Sequence, residues 1–313
     1  MSLDAPFDPH SRQALAISHL FVITMAISAV ILAGVTVLVL YVAWRFRHKA
    51  DAPRGAEPRQ RFGRPRLEIA WTGAPTILLI VLFGFTIRTM GAVDPPVPAR
   101  EPDVVIIGHQ WWWEVRYPGS GVVTANEVHL PVGTPQLVRF QSADVIHDFW
   151  VPALGRKMDI IPGHPNAMWV EADSAGTYLG ACAEYCGIQH AWMRIRVLAQ
   201  LPSEFAAWQG AQLRPSVLDT ADRVHRGAQL FQQMTCASCH AITGTAAVAR
   251  IGPDLTHLMS RGTLAAGVLE NTPVSLTRWL TNPDAIKPGS HMPNLQLTPE
   301  NVRSLVAYLE TLQ

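Results

Sequence analysis

The sequence predicts a multidomain membrane protein in three parts: a two-helix transmembrane hairpin, a β-sandwich and an all-α domain. Two apolar runs near the N-terminus are each long enough to cross a bilayer. A middle stretch carries short candidate strands separated by turn signals, and a final stretch carries helical segments around a C-x-x-C-H motif. The 313 residues hold about two compact domains plus an anchor. The boundaries fall at 1–92 for tail and hairpin, 93–200 for the sandwich, 201–217 for a linker and 218–313 for the all-α domain. The 25 Lys and Arg nearly balance the 24 Asp and Glu, with no basic stripe among aromatics, which excludes nucleic acid as a partner.

The first apolar run, 14–44, is interrupted only by His19 and a few hydroxyls and exceeds the roughly 20 helical residues a bilayer needs. It is too long for the apolar part of a cleaved signal, and Arg45, Arg47 and Lys49 follow it as a stop-transfer signal does. The second helix, about 69–90, carries Pro75 in its first turns, where a missing amide hydrogen costs least. The connection between them is rich in Arg, whereas the tail sets Asp4 and Asp8 against Arg12. The positive-inside bias therefore puts that loop in the cytoplasm, with the N-terminus and everything after the second helix outside. His19 and Arg88 read as interfacial anchors.

Candidate strands lie at 104–107, 111–116, 137–140, 167–172, 178–181 and 193–197. In the last, Met193, Ile195 and Val197 alternate with Arg194 and Arg196, giving one buried and one wet face. In the 111–116 strand, Trp111 and Trp113 share a face and Trp112 takes the other, so at least one ring lies outside the sandwich core. The linker contains a short helix-like piece at 203–208 that reads as a spacer.

The chemistry sits in CAEYCGIQHAWM, where Cys182, Cys186, His190 and Met193 crowd together, with His147 in IHDFWVP as a fifth ligand. Two thiolates, imidazoles and a thioether form a soft set that selects copper and serves both of its oxidation states. Zinc would use the same cysteines and histidines but leaves Met193 without a purpose and prefers other spacings. A single blue copper needs one cysteine, so the second points to two coppers bridged by both sulfurs.

The stretches LEIAWTGAP, GHQWWWE, HDFWVPALGRKMDIIPG and CAEYCGIQHAWMRI resemble those of cytochrome c oxidase subunit II. The resemblance implies a cupredoxin-like sandwich in which His147, Cys182, Cys186, His190 and Met193 hold a binuclear copper centre, CuA, and Glu184 offers its backbone carbonyl to one copper. It implies further that the Glu184 carboxylate reaches a magnesium ion shared with subunit I, and that Trp111 is the electron-entry residue. Glu68 matches the family's glutamate at the mouth of a proton-uptake channel, although a carboxylate there also complements the helix dipole and could pair with Arg64 or Arg66. Asp148 stands where the family often has Ser, and His164 where it often has Arg.

In CASCH, Cys236 and Cys239 would form thioethers to haem vinyls and His240 would ligate the iron. A redox disulfide is the alternative, but no βαβ pattern surrounds the motif. Gly227 and Phe231 on one helix, and Leu305 and Tyr308 on the last, resemble the crossed terminal helices of class I cytochromes c. By the same resemblance, the Pro253 carbonyl in IGPDL accepts a hydrogen bond from His240. Met292 in KPGSHMPN is the expected sixth ligand, with neighbouring His291 the alternative and Met234, His257 and Met259 core or surface residues.

Together these expectations describe the electron-entry subunit of a haem–copper oxidase in a bacterial inner membrane, with both cofactor domains on the periplasmic side. Electrons would pass from reduced cytochrome c, or another periplasmic or membrane donor, to haem c, then CuA, then subunit I. Oxygen reduction and proton pumping belong to the complex with subunits I and III, an oxidoreductase and translocase. The same cofactors could instead serve a nitric oxide reductase or a free-standing membrane-tethered carrier.

Overall fold

The computed structural model describes residues 7–47, 63–215 and 221–313; Asp4, most of the Arg-rich connection (48–62), and the expected linker end at 217 lie outside the described residues. The chain divides into a helical unit, Leu15–Val93, and a second unit holding the N-terminal segment with Asp94–Gln313.

Helices α1 (Arg12–Arg45) and α2 (Pro65–Val93) both extend beyond the expected spans. Their large apolar side chains point outward, as Val30 at 74% and Ile69 at 72% exposure illustrate, which suits a hydrocarbon solvent. In such a solvent every polar group needs an internal partner. Accordingly, the hydroxyls of Thr24, Thr76 and Thr86 each donate to the carbonyl four residues back, at 2.8, 2.7 and 2.9 Å. Because α2 starts at Pro65, Pro75 lies inside the helix and not in its first turns. Pro65 occupies that low-cost position instead, and Glu68 falls in the first turn.

The sandwich is built from β1 (Val104–His109), β2 (Trp112–Tyr117), β3 (Val122–Ala125), β4 (Glu127–Pro131), β5 (Gln136–Ser142), β6 (His147–Trp150), β7 (Met158–Ile160), β8 (Asn166–Val170), β9 (Gly176–Cys182) and β10 (Arg194–Gln200). Two five-stranded sheets result, ordered β3-β2-β1-β5-β8 and β4-β10-β9-β6-β7. Between them pack Ile106, Trp113, Phe140, Phe149, Ile160 and Ile195, all buried. Strand β10 alternates as its sequence requires, with Ile195, Val197 and Ala199 inward. Strand β2 begins at Trp112, so Trp111 belongs to the preceding turn; Trp113 enters the core, while Trp112 forms a separate cluster with Ala125 and Ala266. The N-terminal segment is tied to the same body: His10 N–H donates to the Ala153 carbonyl at 2.8 Å, and the Ser11 hydroxyl accepts from Ala14 N–H at the start of α1.

The piece expected to be a spacer is α3 (Pro202–Gln212), and it packs on the sandwich. Phe205 and Trp208, three apart and so on one helix face, meet Tyr117, and Trp208 stacks on His129 with ring centroids 3.8 Å apart. The Tyr117 hydroxyl donates to the His129 carbonyl and accepts from His129 N–H, at 3.0 and 2.7 Å.

The helical domain comprises α4 (Asp222–Gln233), α5 (Pro273–Thr281), α6 (Pro283–Ile286) and α7 (Pro299–Leu309). The last three each follow a Thr-Pro or Asn-Pro start: Thr272, Asn282 and Thr298 accept a hydrogen bond from the backbone three residues on, and Pro fills the first helical position. Helices α4 and α7 cross at Gly227, where a Cβ would overlap the Ser304 carbonyl oxygen and come within 2.6 Å of Tyr308 Cβ. Phe231 and Tyr308 meet edge-on beside that crossing. The helical domain is also clamped to the sandwich. The buried Glu127 carboxylate accepts from Gly262 N–H at 3.0 Å and the Thr263 hydroxyl at 3.2 Å, and Arg261 donates to the Thr124 hydroxyl.

Two outcomes are expected. Gly227→Ala should destabilise the helical domain by about 1–3 kcal/mol, the range for overpacking, and lower its melting temperature while the sandwich melts unchanged; separate thermal melts followed by domain-specific signals check it. Burial pushes the His129 imidazole down to about 4, against the raising effect of its hydrogen bond to Gln200. The unfolded chain, with an ordinary histidine near 6.5, therefore binds more protons as pH falls. Sandwich stability should be full above about pH 6.5 and fall, by up to about 3 kcal/mol, towards pH 4. Denaturant titrations across that window should show a flatter profile for His129→Gln.

Candidate metal and haem sites

The ligand loop spans the turn from β9 to β10, and its base is closed by Cys182 N–H donating to the Met193 carbonyl at 2.9 Å. A sulfur side chain thus stands at each end of the loop. Strand β6 lies beside β9 and starts with His147, which brings a distant histidine alongside. The Sγ atoms of Cys182 and Cys186 are 3.8 Å apart. His147 Nδ1 lies 4.0 Å from Cys182 Sγ, His190 Nδ1 3.8 Å from Cys186 Sγ, and Met193 Sδ 3.8 Å from Cys186 Sγ. The Glu184 carbonyl oxygen is 3.2 Å from Cys182 Sγ, while the residue itself is exposed. All six expected groups converge on one pocket, whose His147, Cys182, Cys186 and Met193 side chains are buried.

The donors fit a soft metal. The sulfur separation is far beyond the roughly 2.05 Å of a disulfide, and both thiols are free. Cys182 is held well below the ordinary thiol range, chiefly by its hydrogen bond with Cys186 and then by His147, whereas Cys186 is pushed up by that same bond and by burial. Only one thiolate is favoured without a cation between them; bound metal charge lets both ionise.

Two contacts that orient His147 escaped the sequence reading. Asp144 Oδ1 receives His147 Nε2–H at 2.8 Å, which leaves Nδ1 as the ligand atom facing the sulfurs. Burial opposes ionisation of Asp144, but His147 and the backbone N–H groups of Val145 and Gln110 hold its carboxyl below the usual range. Gly108 backs the ring from the other side, for a Cβ there would lie 2.7 Å from His147 Cδ2. An acid three residues before a histidine is the only sequence signal for either. Trp111 Nε1–H and Gln110 Nε2–H both donate to the Cys186 carbonyl, at 3.0 and 2.8 Å, so Trp111 sits directly on the ligand loop. Asp148 is fully buried at 0% exposure with Lys157 at 3.5 Å, and burial pushes its carboxyl up to about 7.

In the helical domain, Cys236 lies in a short helical turn, Thr235–Ser238, which Cys239 caps, and the N–H groups of Cys239 and His240 both donate to the Cys236 carbonyl. His240 Nδ1–H donates to the Pro253 carbonyl at 2.7 Å, which leaves Nε2 for a metal, and a Cβ at Gly252 would strike the ring at 2.6 Å. Met292 and Cys236 are both half-buried against the helical-domain core, whereas His291 is exposed and its ring lies 4.6 Å from that of Trp111. These donors fit an iron porphyrin held by two thiols and one histidine. Glu68 is exposed at the start of α2, away from either cluster in sequence.

A soft-ligand loop on a sandwich and a C-x-x-C-H motif on a helical domain are both donor sets of one-electron transfer proteins. The family model of the cytochrome c oxidase subunit II transmembrane domain matches residues 7–88, that of the subunit II periplasmic domain 120–200, and that of cytochrome c 224–313. Cytochrome c oxidase subunit 2 of Alkalihalophilus pseudofirmus is 34% identical over 313 residues, covering 98% of this chain and 90% of the relative. That of Bacillus subtilis is 32% identical over 296 residues, covering 88% and 83%. The crystal structure of the periplasmic domain of subunit II of cytochrome oxidase of Bradyrhizobium japonicum matches at 33% identity and a TM-score of 0.36, covering 37% of this chain and 96% of that one. The chain belongs to the cytochrome c oxidase subunit 2 family, in a form that carries a C-terminal cytochrome c domain.

Removing the partner that fixes a ligating histidine typically costs 10–100-fold in metal affinity. Asp144→Asn should therefore lose copper about 10–100-fold more readily than the wild type, measured as copper per chain after dialysis against graded chelator, with the fold intact by circular dichroism.

Proposed function

We propose that this chain is the electron-entry subunit of a haem–copper terminal oxidase, accepting electrons at haem c and passing them through binuclear CuA to a catalytic subunit I that reduces oxygen to water. The observation that carries this reading is the convergence of five side chains and the Glu184 carbonyl on one buried pocket, in the same compact unit as the C-x-x-C-H domain. Copper and haem iron, when bound, supply the one-electron redox chemistry.

The chain's own residues supply position and environment. Cys182 and Cys186 would hold the copper through their sulfurs, and His147, His190 and Met193 would complete a ligand set that serves both oxidation states. Burial keeps water from the sulfurs. The Pro253 carbonyl fixes the His240 ring and raises its basicity. Met292 would complete the iron's ligand set; its half-burial against the helical-domain core, set against the exposure of His291, supports the thioether as sixth ligand. The exposure of Glu184 supports its carboxylate as a contact to a magnesium ion shared with subunit I, and the exposed first-turn position of Glu68 supports it as the proton-uptake entrance.

The hydrogen bonds of His10 and Ser11 to the sandwich support a topology with the N-terminus and both cofactor domains on the periplasmic side of a bacterial inner membrane. Subunits I and III, membrane lipid, and reduced cytochrome c or another periplasmic or membrane donor are the partners.

Paramagnetic resonance of the oxidised complex should show hyperfine splitting from two equivalent copper nuclei, and pyridine haemochrome spectra should show one haem c per chain. A single-copper pattern in fully loaded protein would falsify the binuclear assignment. Met292→Ala should lose the weak near-infrared sulfur-to-iron band and His291→Ala should keep it; the reverse outcome makes His291 the ligand.

A further inference from the structure

The segment Lys287–Met292, which carries the expected haem ligand at its end, lies against the copper loop and Trp111 at four places. Lys287 is 5% exposed, and its ammonium donates to the Trp111 carbonyl at 3.2 Å. Burying a charged amine is costly unless it is hydrogen-bonded, so this contact holds the segment in place. The buried Gln189 side-chain amide donates to the Pro288 carbonyl. Gly289, at φ +81°, packs so closely on Ile188 that a Cβ would lie 3.0 Å from Ile188 Cγ2. The His291 ring meets the Trp111 indole with centroids 4.6 Å apart. Every residue touched belongs to the copper loop or hydrogen-bonds to it: Ile188 and Gln189 lie between Cys186 and His190, and Trp111 donates to the Cys186 carbonyl. A second anchor stands apart from these contacts, where Glu127 holds Gly262 and Thr263 and Trp112 meets Ala266. Two separated anchors fix an orientation that one could not.

We infer that Lys287–Met292 is a built-in docking contact between the two cofactor sites, in which the His291–Trp111 ring pair is the electronic bridge and the segment occupies the face of Trp111 that a separate donor would need. The inference rests on the electron-entry reading above. One electron leaves the haem iron and arrives at the copper pair; no bond forms or breaks, and the rings keep no charge. A separate one-electron donor then re-reduces the haem. His291 and Lys287 are positioning residues for this transfer.

The test uses the loaded full-length chain, with copper and haem content measured first. After rapid one-electron reduction of the haem, equilibration with copper should slow roughly tenfold or more in His291→Leu, since about 1 Å of misplacement can cost about 10²-fold in a geometry-dependent step. His291→Phe, which keeps a ring, should restore most of the rate, and neither variant should alter the copper hyperfine pattern or the near-infrared haem band. A second measurement needs no cofactor. Amine acylation of the folded chain, read by mass spectrometry, should spare Lys287 while the exposed Lys157 reacts. Transfer in His291→Leu as fast as in the wild type, or acylation of Lys287 as fast as of Lys157, overturns the inference while leaving the electron-entry reading standing. A wild-type chain that binds neither copper nor haem overturns both.

Discussion

The hydrogen bond from Cys182 N–H to the Met193 carbonyl closes the base of the ligand loop, and the rest of the metal chemistry depends on that closure. It is the last rung of the β9–β10 ladder, so the position of both sulfur ends is inherited from a strand pair that the sandwich core already holds rigid. Closing a loop of this length costs only a modest entropy, which grows slowly with the number of residues enclosed. Within it, Cys186 and His190 are four apart and His190 and Met193 three apart, and the short helical turn His190–Trp192 folds them back onto the base. A site mounted on strands in this way is more precise than one carried by an open loop.

The second constraint is the buried carboxylate of Glu127. A buried anion persists only with charge-assisted partners, and here they come from both domains: Arg196 at 3.6 Å from its own sandwich, and the N–H of Gly262 with the Thr263 hydroxyl from the helical domain. The contact is directional as well as attractive, because two donors and one cation can satisfy the carboxylate only in one arrangement. With Trp208 of α3 stacked on His129, it leaves β4 buried along its whole length, although the strand stands at the edge of its sheet.

That same burial decides what could be read from the residues alone. Strand β10 was legible because one face is wet, and α1 and α2 because apolarity sustained over a bilayer's length suits a membrane span and little else. Strands β4 and β6 were not, for Glu127–Pro131 is buried on both faces and His147–Trp150 nearly so, and without alternation such short runs carry no period. Helix α3 read as a spacer because its anchoring pair, Phe205 and Trp208, needs Tyr117 and His129 as partners to have a meaning. At the copper loop, the donor types and spacing announced themselves within a dozen residues. Asp144 and Gly108 act only through the third dimension: one orients the His147 ring, the other leaves room for it, and neither resembles a ligand in sequence. Pro75 misled in a smaller way, since the position of a proline within a helix depends on where the helix starts, and terminal turns are the least certain part of any sequence reading.

The clamp between the sandwich and the helical domain changes the kinetic order of electron supply. Two proteins that meet by diffusion depend on concentration and, when charged surfaces steer them, on ionic strength. Here both faces belong to one continuous chain, and the sandwich side of the contact is met by Arg261, Gly262 and Thr263 without any encounter. Tethering replaces the search with a fixed local concentration, of millimolar order for short linkers. Passage between the domains is thus a first-order event, indifferent to dilution and nearly so to salt, and the bimolecular step is moved outward to the surface of the helical domain.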